Sequence, residues 1–208
     1  NALPEFGDDN LVTIETIEAG NIVIKRENKM SSRFQGQFTS ANLGNHNHLK
    51  ALEDNFTISF WFKTQNTPSP GTGLKLPFEG EPLLGFSQKR FGDYQGSGFQ
   101  FSFERINNNT AARLKLGITF IENEESVYHS LGINNITDDL WTMVTVVYNG
   151  TQLKIYENEN LREQAIVIGI VDWSTIANSS FYVGRYVDSP MFGSFFSGQI
   201  RNVGLWNN

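Results

Sequence analysis

From Leu140 to Leu161 the residues alternate in the manner of two strands folded back on each other. Trp141, Met143, Thr145 and Val147 interleave with Thr142, Val144, Val146 and Tyr148. β-Branched side chains are dense among them, which suits a half-buried pleated surface. Asn149-Gly150 follows and predicts a type I′ turn, because both central residues of that turn need positive φ. The second strand sets Leu153 and Ile155 against Lys154 and Tyr156, and Glu157-Asn158-Glu159-Asn160 predicts another turn. A lone hairpin is at best marginally stable in water, so the remaining chain must supply strands around this pair.

It does so repeatedly. Phe56, Ile58, Phe60 and Phe62 share one face of a strand, with Thr57, Ser59, Trp61 and Lys63 on the other. A tryptophan on the second face predicts cover on both sides, and Trp61, Trp141 and Trp206 are read as core. Phe99, Phe101 and Phe103 alternate with Gln100, Ser102 and Glu104, and Leu114, Leu116, Ile118 and Phe120 repeat the pattern. Shorter strands are expected at Leu11–Ile17, Asn21–Arg26, Ser32–Phe38, Pro82–Ser87, Val127–Leu131, Ser180–Val183 and Phe195–Trp206. No segment sustains a helical period. Strands between turn signals predict an all-β fold, a sandwich of two antiparallel sheets. Three polar loops interrupt it, at Thr64–Glu81, Gln88–Gly98 and Gly184–Gly193; a loop as long as the first is commonly functional or disordered in a compact domain.

Composition narrows the chemistry. A chain of 208 residues lies within the range of one all-β domain. We expect residues 1–28 to form an N-terminal arm with short strands and 29–208 the sandwich on which it packs. A net charge of −6 argues against nonspecific binding to nucleic acid or to an anionic membrane surface. No apolar run approaches the roughly 18 residues that span a bilayer, so membrane insertion is not expected. The absence of cysteine excludes disulfide frameworks, thiolate metal sites and cysteine nucleophiles. Asn1–Asn10 resembles a linker rather than a secretory leader, so a mature or excised segment is expected.

Four stretches carry a family resemblance. They are Phe56-Thr57-Ile58-Ser59-Phe60-Trp61-Phe62, Leu140-Trp141 with Val144 to Gly150, Leu153 to Tyr156, and Gly198-Gln199-Ile200-Arg201-Asn202-Val203-Gly204-Leu205-Trp206. In order and spacing they resemble the laminin-G and pentraxin-like domains of the concanavalin A-like lectin/glucanase fold, from Lys29 to Asn207. The resemblance implies a jelly-roll sandwich, a calcium ion, and a carbohydrate or protein ligand. Each stretch is a core strand, so the resemblance speaks to fold more than to function.

Hydrolysis in the glucanase branch of this fold uses Glu-x-Asp-x-x-Glu along one strand, which sets acid and nucleophile about 5 Å apart on one face. The chain has no such run; Glu122-Asn123-Glu124-Glu125 and Glu157-Asn158-Glu159 come closest and fall on predicted turns. Lyase chemistry needs a base and a group that neutralises a uronate, for which His129, Tyr128 and Arg113 are candidates. The plainer reading of His129 is an exposed strand residue. Sugar recognition needs an aromatic plate with fixed polar partners. The loops offer Phe91, Tyr94, Trp173, Tyr186 and Phe192 as plates, with Arg90, Gln95 and Arg185 beside them. By the family pattern, loops 88–98 and 184–193 lie at one end of the sandwich. Tyr94 and Tyr186 would then converge with Arg90 and Arg185, while Trp173 sits on a separate, competing loop. We therefore expect a noncatalytic, lectin-like module of a larger secreted or cell-surface protein. Its partners would be a polysaccharide or glycan and other domains of the parent. The alternatives are a protein-binding adhesion or assembly module, and a polysaccharide lyase or glycoside hydrolase of unfamiliar site composition.

The resemblance further implies Asp93 and Asp188 as calcium ligands, although Tyr186 and Val187 stand where an acid and an amide are expected. The alternative is a pair of ordinary turn aspartates. If calcium binds there, saturating calcium raises the melting temperature of the wild type and leaves the Asp93→Ala/Asp188→Ala protein unmoved. A hundredfold excess over Kd is worth about 2.7 kcal/mol of stability. Equal shifts in both proteins exclude this pair as the site.

Overall fold

A computed structural model describes residues 12–17, 21–26, 32–35, 40–44, 52, 54–65, 77, 80–86, 98–106, 110–174, 180–184 and 196–207. Among these there is no α-helix, and two antiparallel sheets face each other. The first runs in the order β1 (Val12–Ile17), β2 (Asn21–Arg26), β15 (Ser197–Asn207), β5 (Phe56–Thr64), β10 (Thr142–Tyr148), β11 (Gln152–Glu157) and β12 (Asn160–Ile166). β3 (Ser32–Gln35) also pairs with β15. The second runs β13 (Ile170–Val171), β8 (Ala111–Glu122), β7 (Phe99–Ile106), β6 (Pro82–Gly85), β14 (Tyr182–Val183) and β4 (Ala41–Asn42), with β9 (Glu125–Ile133) on the other side of β8. This is the concanavalin A-like jelly-roll sandwich expected from the pattern. The strands β1 and β2 extend the first sheet through Val23 and Ile22, which pair with Gly204 and Leu205 of β15.

The core is aromatic where the alternation says it should be. Phe60 of β5 meets Phe101 of β7 edge-on at 4.9 Å, and Phe62 meets Phe103 at 5.8 Å. Phe56, Ile58, Phe99, Leu114, Leu116, Ile118 and Phe120 fill the space around them and are fully buried. Such T-shaped pairs add about 0.5–1.5 kcal/mol to what ring burial alone contributes.

Two turns match the pattern closely. Asn123-Glu124 and Asn158-Glu159 both carry positive φ at both positions, as type I′ turns require. The Asn149-Gly150 turn is shifted by one residue from expectation. Asn149 closes the ladder with Gln152, so Gly150 and Thr151 are the central pair, and of these only Gly150 has positive φ, at 84°. The cause is the Asn149 side chain: its Oδ1 accepts the backbone N–H of Thr151 and of Gln152, an Asx turn that fixes Asn149 as the last paired residue.

The three strand tryptophans are not core. Trp61, Trp141 and Trp206 are half-buried on the outer face of the first sheet, because Trp61 lies between the inward Phe60 and Phe62 and must point away. There the Arg201 guanidinium lies between two indoles, 5.2 Å from the Trp61 ring centre and 4.1 Å from that of Trp141. Segment 134–141 is tied to the end of β5 by Thr64 Oγ1 donating to Asp138 and by the Lys63–Asp139 ion pair, which brings Trp141 onto Arg201.

At the sandwich edge, Arg113 of β8 crosses β9 to reach Glu163 of β12 at 2.7 Å, and the Gly132 N–H donates to the same carboxylate oxygen. A Cβ on Gly132 would lie 2.1 Å from Arg113 Nε, so glycine is what lets the arginine pass. This clasp joins an edge strand of each sheet.

Arg201 is the residue whose loss tests this account of the outer face. We expect Arg201→Ala to lower unfolding free energy by about 1–3 kcal/mol in urea titration. Arg201→Lys should recover part of the loss, since lysine keeps the charge but not the planar stacking. An alanine protein as stable as wild type removes the clamp from the account.

Candidate functional site

Because Phe99, Phe101 and Phe103 point inward, Gln100, Ser102 and Glu104 point out from the second sheet. The register carries Gln100 into a row that crosses the whole sheet: Asn42, Tyr182, Gly85, Gln100, Gly117 and Ser130, one residue from each of six strands. Two of the six have no side chain. A Cβ on Gly85 would come 2.5 Å from the Phe99 carbonyl oxygen, and one on Gly117 would come 2.7 Å from the Tyr128 hydroxyl. Tyr128, one pair further along at Thr119, therefore lies over Gly117. At the far side Asn42 Nδ2 donates to the Tyr182 hydroxyl at 3.2 Å.

Gln100 stands at the centre of this row with only 6% of its surface exposed, and its Oε1 accepts no hydrogen bond. An unsatisfied buried acceptor costs on the order of 1–3 kcal/mol, so it marks a place where a donor is missing. Among the described residues, the charged groups beside the row are paired. Glu104 lies 3.9 Å from Lys115 and 3.8 Å from Arg113, and Arg113 holds Glu163.

The opposite border is set by Asp172, which is 3% exposed. Its backbone bonds to Thr119 O and from Gly98 N, and its carboxylate accepts from Ser126 Oγ at 2.7 Å and from Ser174 N at 2.8 Å. Burial works to raise this carboxyl's pKa, but the bonds from the Ser174 N–H and from the Ser126 and Ser174 hydroxyls outweigh it and hold the pKa below the ordinary value.

Of the residues singled out from sequence, Arg90, Phe91, Asp93, Tyr94, Gln95, Arg185, Tyr186, Asp188 and Phe192 lie outside the described residues. The necks of their loops are described and do not adjoin. Phe86 and Phe99 are bonded at the neck of loop 87–98, and Gly184 and Phe196 at the neck of loop 185–195. Because β6 and β14 run antiparallel, these necks leave from opposite ends of the pair, about three residues or 10 Å apart, rather than from one end as expected. Trp173 belongs with the first neck. It is half-buried, its ring 5.4 Å from Phe86 and 6.3 Å from Phe99, and its Nε1 is buried without a partner. It packs on the two phenylalanines at that neck.

His129, Tyr128 and Arg113 are not assembled for lyase chemistry. Alternation sends His129 inward, against Phe120 and bonded to Glu122, while Tyr128 faces out and Arg113 is held by Glu104 and Glu163. Among the described residues, no three His, Cys, Asp or Glu cluster so as to hold a metal ion. Sequence reasoning passed over Gln100 because its signal, a glycine opposite it on each neighbouring strand, exists only once the register is known.

Residues 34–208 match Laminin_G_3, of the concanavalin A-like lectin/glucanases superfamily. The chain belongs to that family. No curated protein matches it in sequence. Solved structures with the same fold include the carbohydrate-binding module CBM40 of the Ruminococcus gnavus IT-sialidase bound to α2,3-sialyllactose. It is 14% identical with a TM-score of 0.59, and the match covers 86% of this chain and 89% of that one. Domain 4 of AbnA, an extracellular GH43 arabinanase of Geobacillus stearothermophilus, in complex with arabinotriose, is 14% identical with a TM-score of 0.53, covering 95% and 82%. Mouse laminin α1 domains LG4-5 are 14% identical with a TM-score of 0.50, and the match covers 87% of this chain and 42% of the laminin chain. At these identities the likeness is one of fold.

Asp172→Asn provides a test of the border through pH. A depressed folded-state pKa means the carboxylate's contribution is full above the unfolded value and is lost as pH falls through the folded value. We expect the stability gap between wild type and Asp172→Asn to be constant above about pH 5 and to shrink as pH drops below about 4. A gap that widens on acidification overturns the assignment.

Proposed function

We propose that this domain is a noncatalytic carbohydrate-binding module of a larger secreted or cell-surface protein. The observation that carries the reading is the outer face of the second sheet, where half-buried Tyr128 and Tyr182 stand on either side of Gln100, whose buried amide oxygen has no donor. Sugar hydroxyls are donors, and the tyrosine rings provide apolar surface for pyranose or furanose faces. Family membership supports the reading, as do the ligands of the two bacterial relatives, sialyllactose and arabinotriose. The reading includes loops 88–98 and 184–193, with Tyr94 and Tyr186 as plates, Arg90, Gln95 and Arg185 as polar partners, and Phe91, Phe192 and Trp173 beside them. Calcium at Asp93 and Asp188 is part of the same proposal.

A second reading, a protein-binding adhesion or assembly module, is favoured by one feature. Ile166, Ile168, Ile170 and Ile121 are 77%, 66%, 43% and 36% exposed and form an aliphatic stripe where the chain passes from β12 to β13. Contiguous exposed apolar surface is often an interaction site.

A panel of polysaccharides, read for binding and for new reducing or unsaturated ends together, tests the first reading. Binding without new ends is the expected result; new ends establish an enzyme, and no binding to any glycan favours the protein partner. In the loops, Tyr94→Ala and Tyr186→Ala should fold normally and lose about 1–3 kcal/mol of glycan affinity by calorimetry. Wild-type affinity in both removes the loop plates.

A further inference from the structure

The outer face of the first sheet sorts its charges by sign, in a chain whose net charge is −6. Alternation points three cations out of it: Lys63 from β5, Lys154 from β11 and Arg201 from β15. Strands β5, β10 and β15 contain no acidic residue, and the one in β11, Glu157, is paired with Arg162. Lys63 is taken by Asp139. Lys154 and Arg201 make no ion pair among the described residues. Both are half-buried, as are Trp61, Trp141, Met143 and Tyr156, so each keeps part of its surface open to solvent. The Arg201 guanidinium lies over the Trp61 and Trp141 rings, and its Nε is buried without an acceptor. Ring contacts offset part of its charge but supply no oxygen acceptor for its N–H groups.

We infer that this face binds a saccharide chain carrying carboxylates at intervals, as uronate polymers do, with one carboxylate on the terminal nitrogens of Arg201 and a second at Lys154. The inference rests on the carbohydrate-binding reading and adds to it a surface and a ligand class. A carboxylate that loses water needs a cation with free donors, and a guanidinium offers two in the geometry of its oxygens. Lys154 lies three strands from Arg201 and four residues along. By strand and residue spacing the two cations are about 20 Å apart, the reach of about four sugar residues. Between them Trp61, Met143 and Tyr156 provide apolar surface for the faces of sugar rings, and Thr145 provides a hydroxyl. Charges farther off than about 8 Å are screened at physiological salt, so these cations, and not the net charge of the chain, set the field that a ligand meets here. Arg201 then has two tasks, covering the indoles and receiving the anion, and only the second depends on a ligand's charge.

The experiment is calorimetric titration of the whole domain with oligogalacturonates of increasing length, with sialyllactose as a probe bearing a single carboxylate, and with neutral cello- and arabino-oligosaccharides. Each is run at low and high salt on wild type, Arg201→Gln, Arg201→Lys, Lys154→Gln and Tyr94→Ala, with melting curves in parallel. We expect oligogalacturonate to bind, its affinity climbing about tenfold from two residues to four and falling several-fold at high salt. Arg201→Gln should lose about tenfold or more, and Arg201→Lys less, because lysine keeps the charge without the paired donors. Lys154→Gln should lose several-fold and melt as the wild type does, being a surface change. If Arg201→Gln does not fold, Lys154→Gln and the salt dependence decide the matter. Neutral sugars that bind as tightly as acidic ones, without salt dependence, overturn the inference. So does full affinity for oligogalacturonate in Lys154→Gln and the folded Arg201 variants, or sialyllactose as the tightest ligand with no loss in Lys154→Gln. If Tyr94→Ala is then the weak binder, carbohydrate binding stands and the site is the loops. If no probe and no polysaccharide of the wider panel binds, the carbohydrate reading itself fails; a glutamate-rich peptide bound through Arg201 would in that case make this a protein-binding face.

Discussion

The contact between β5 and β7 decides what every other residue of these sheets can do. Phe60 on Phe101 and Phe62 on Phe103 lock one face of each strand inward. Side chains alternate with a period of two, so a slip of one residue in either strand would send a phenylalanine to solvent and a polar residue inside. Once those rings are seated, Trp61 must face out from the first sheet and Gln100 out from the second. The outer surfaces are thus consequences of the core, and each sheet then meets a different problem.

The first sheet closes its outer face. Trp61, Trp141 and Arg201 stack, and Trp206 lies over Gly204, whose absent side chain makes the space: a Cβ there would come 2.1 Å from the indole. Large apolar rings are covered by one another and by a guanidinium, which is weakly hydrated and tolerates such a position. The second sheet uses the same device at Gly117, over which the Tyr128 ring lies, and among the described residues its charges are paired off to the sides.

Most of the fold was legible from sequence. The Phe56–Lys63 and Phe99–Glu104 alternations give the strands and their inward faces, and the acidic runs at Glu122–Glu125 and Glu157–Glu159 do contain turns, although Glu122 itself ends a strand and meets His129. The errors were of two kinds. Local ones came from side chains that rewrite the backbone, as when Asn149 caps Thr151 and Gln152 and moves the turn by one residue. Long-range ones came from pairing. Whether loops 87–98 and 185–195 share an end depends on β6 running antiparallel to β14, and whether Gln100 is special depends on Gly85 and Gly117 lying opposite it. No local pattern contains either fact. The aromatic loop residues were visible because rings in polar, glycine-rich stretches look misplaced; an amide between two phenylalanines looks like ordinary alternation.

That difference bears on how such a face can be recognised. A binding surface made of exposed rings announces itself by composition, but one made of missing side chains does not. On the second sheet the informative atoms are the ones that are absent, two Cβ groups and one donor. Each absence costs stability: glycine in a strand gives up side-chain packing, and an unpaired buried carbonyl gives up a hydrogen bond. The first sheet, with comparable glycines, converts the space into ring packing. The second seats the Tyr128 ring over Gly117 and the Phe99 carbonyl against Gly85, and leaves only the buried Gln100 acceptor unfilled.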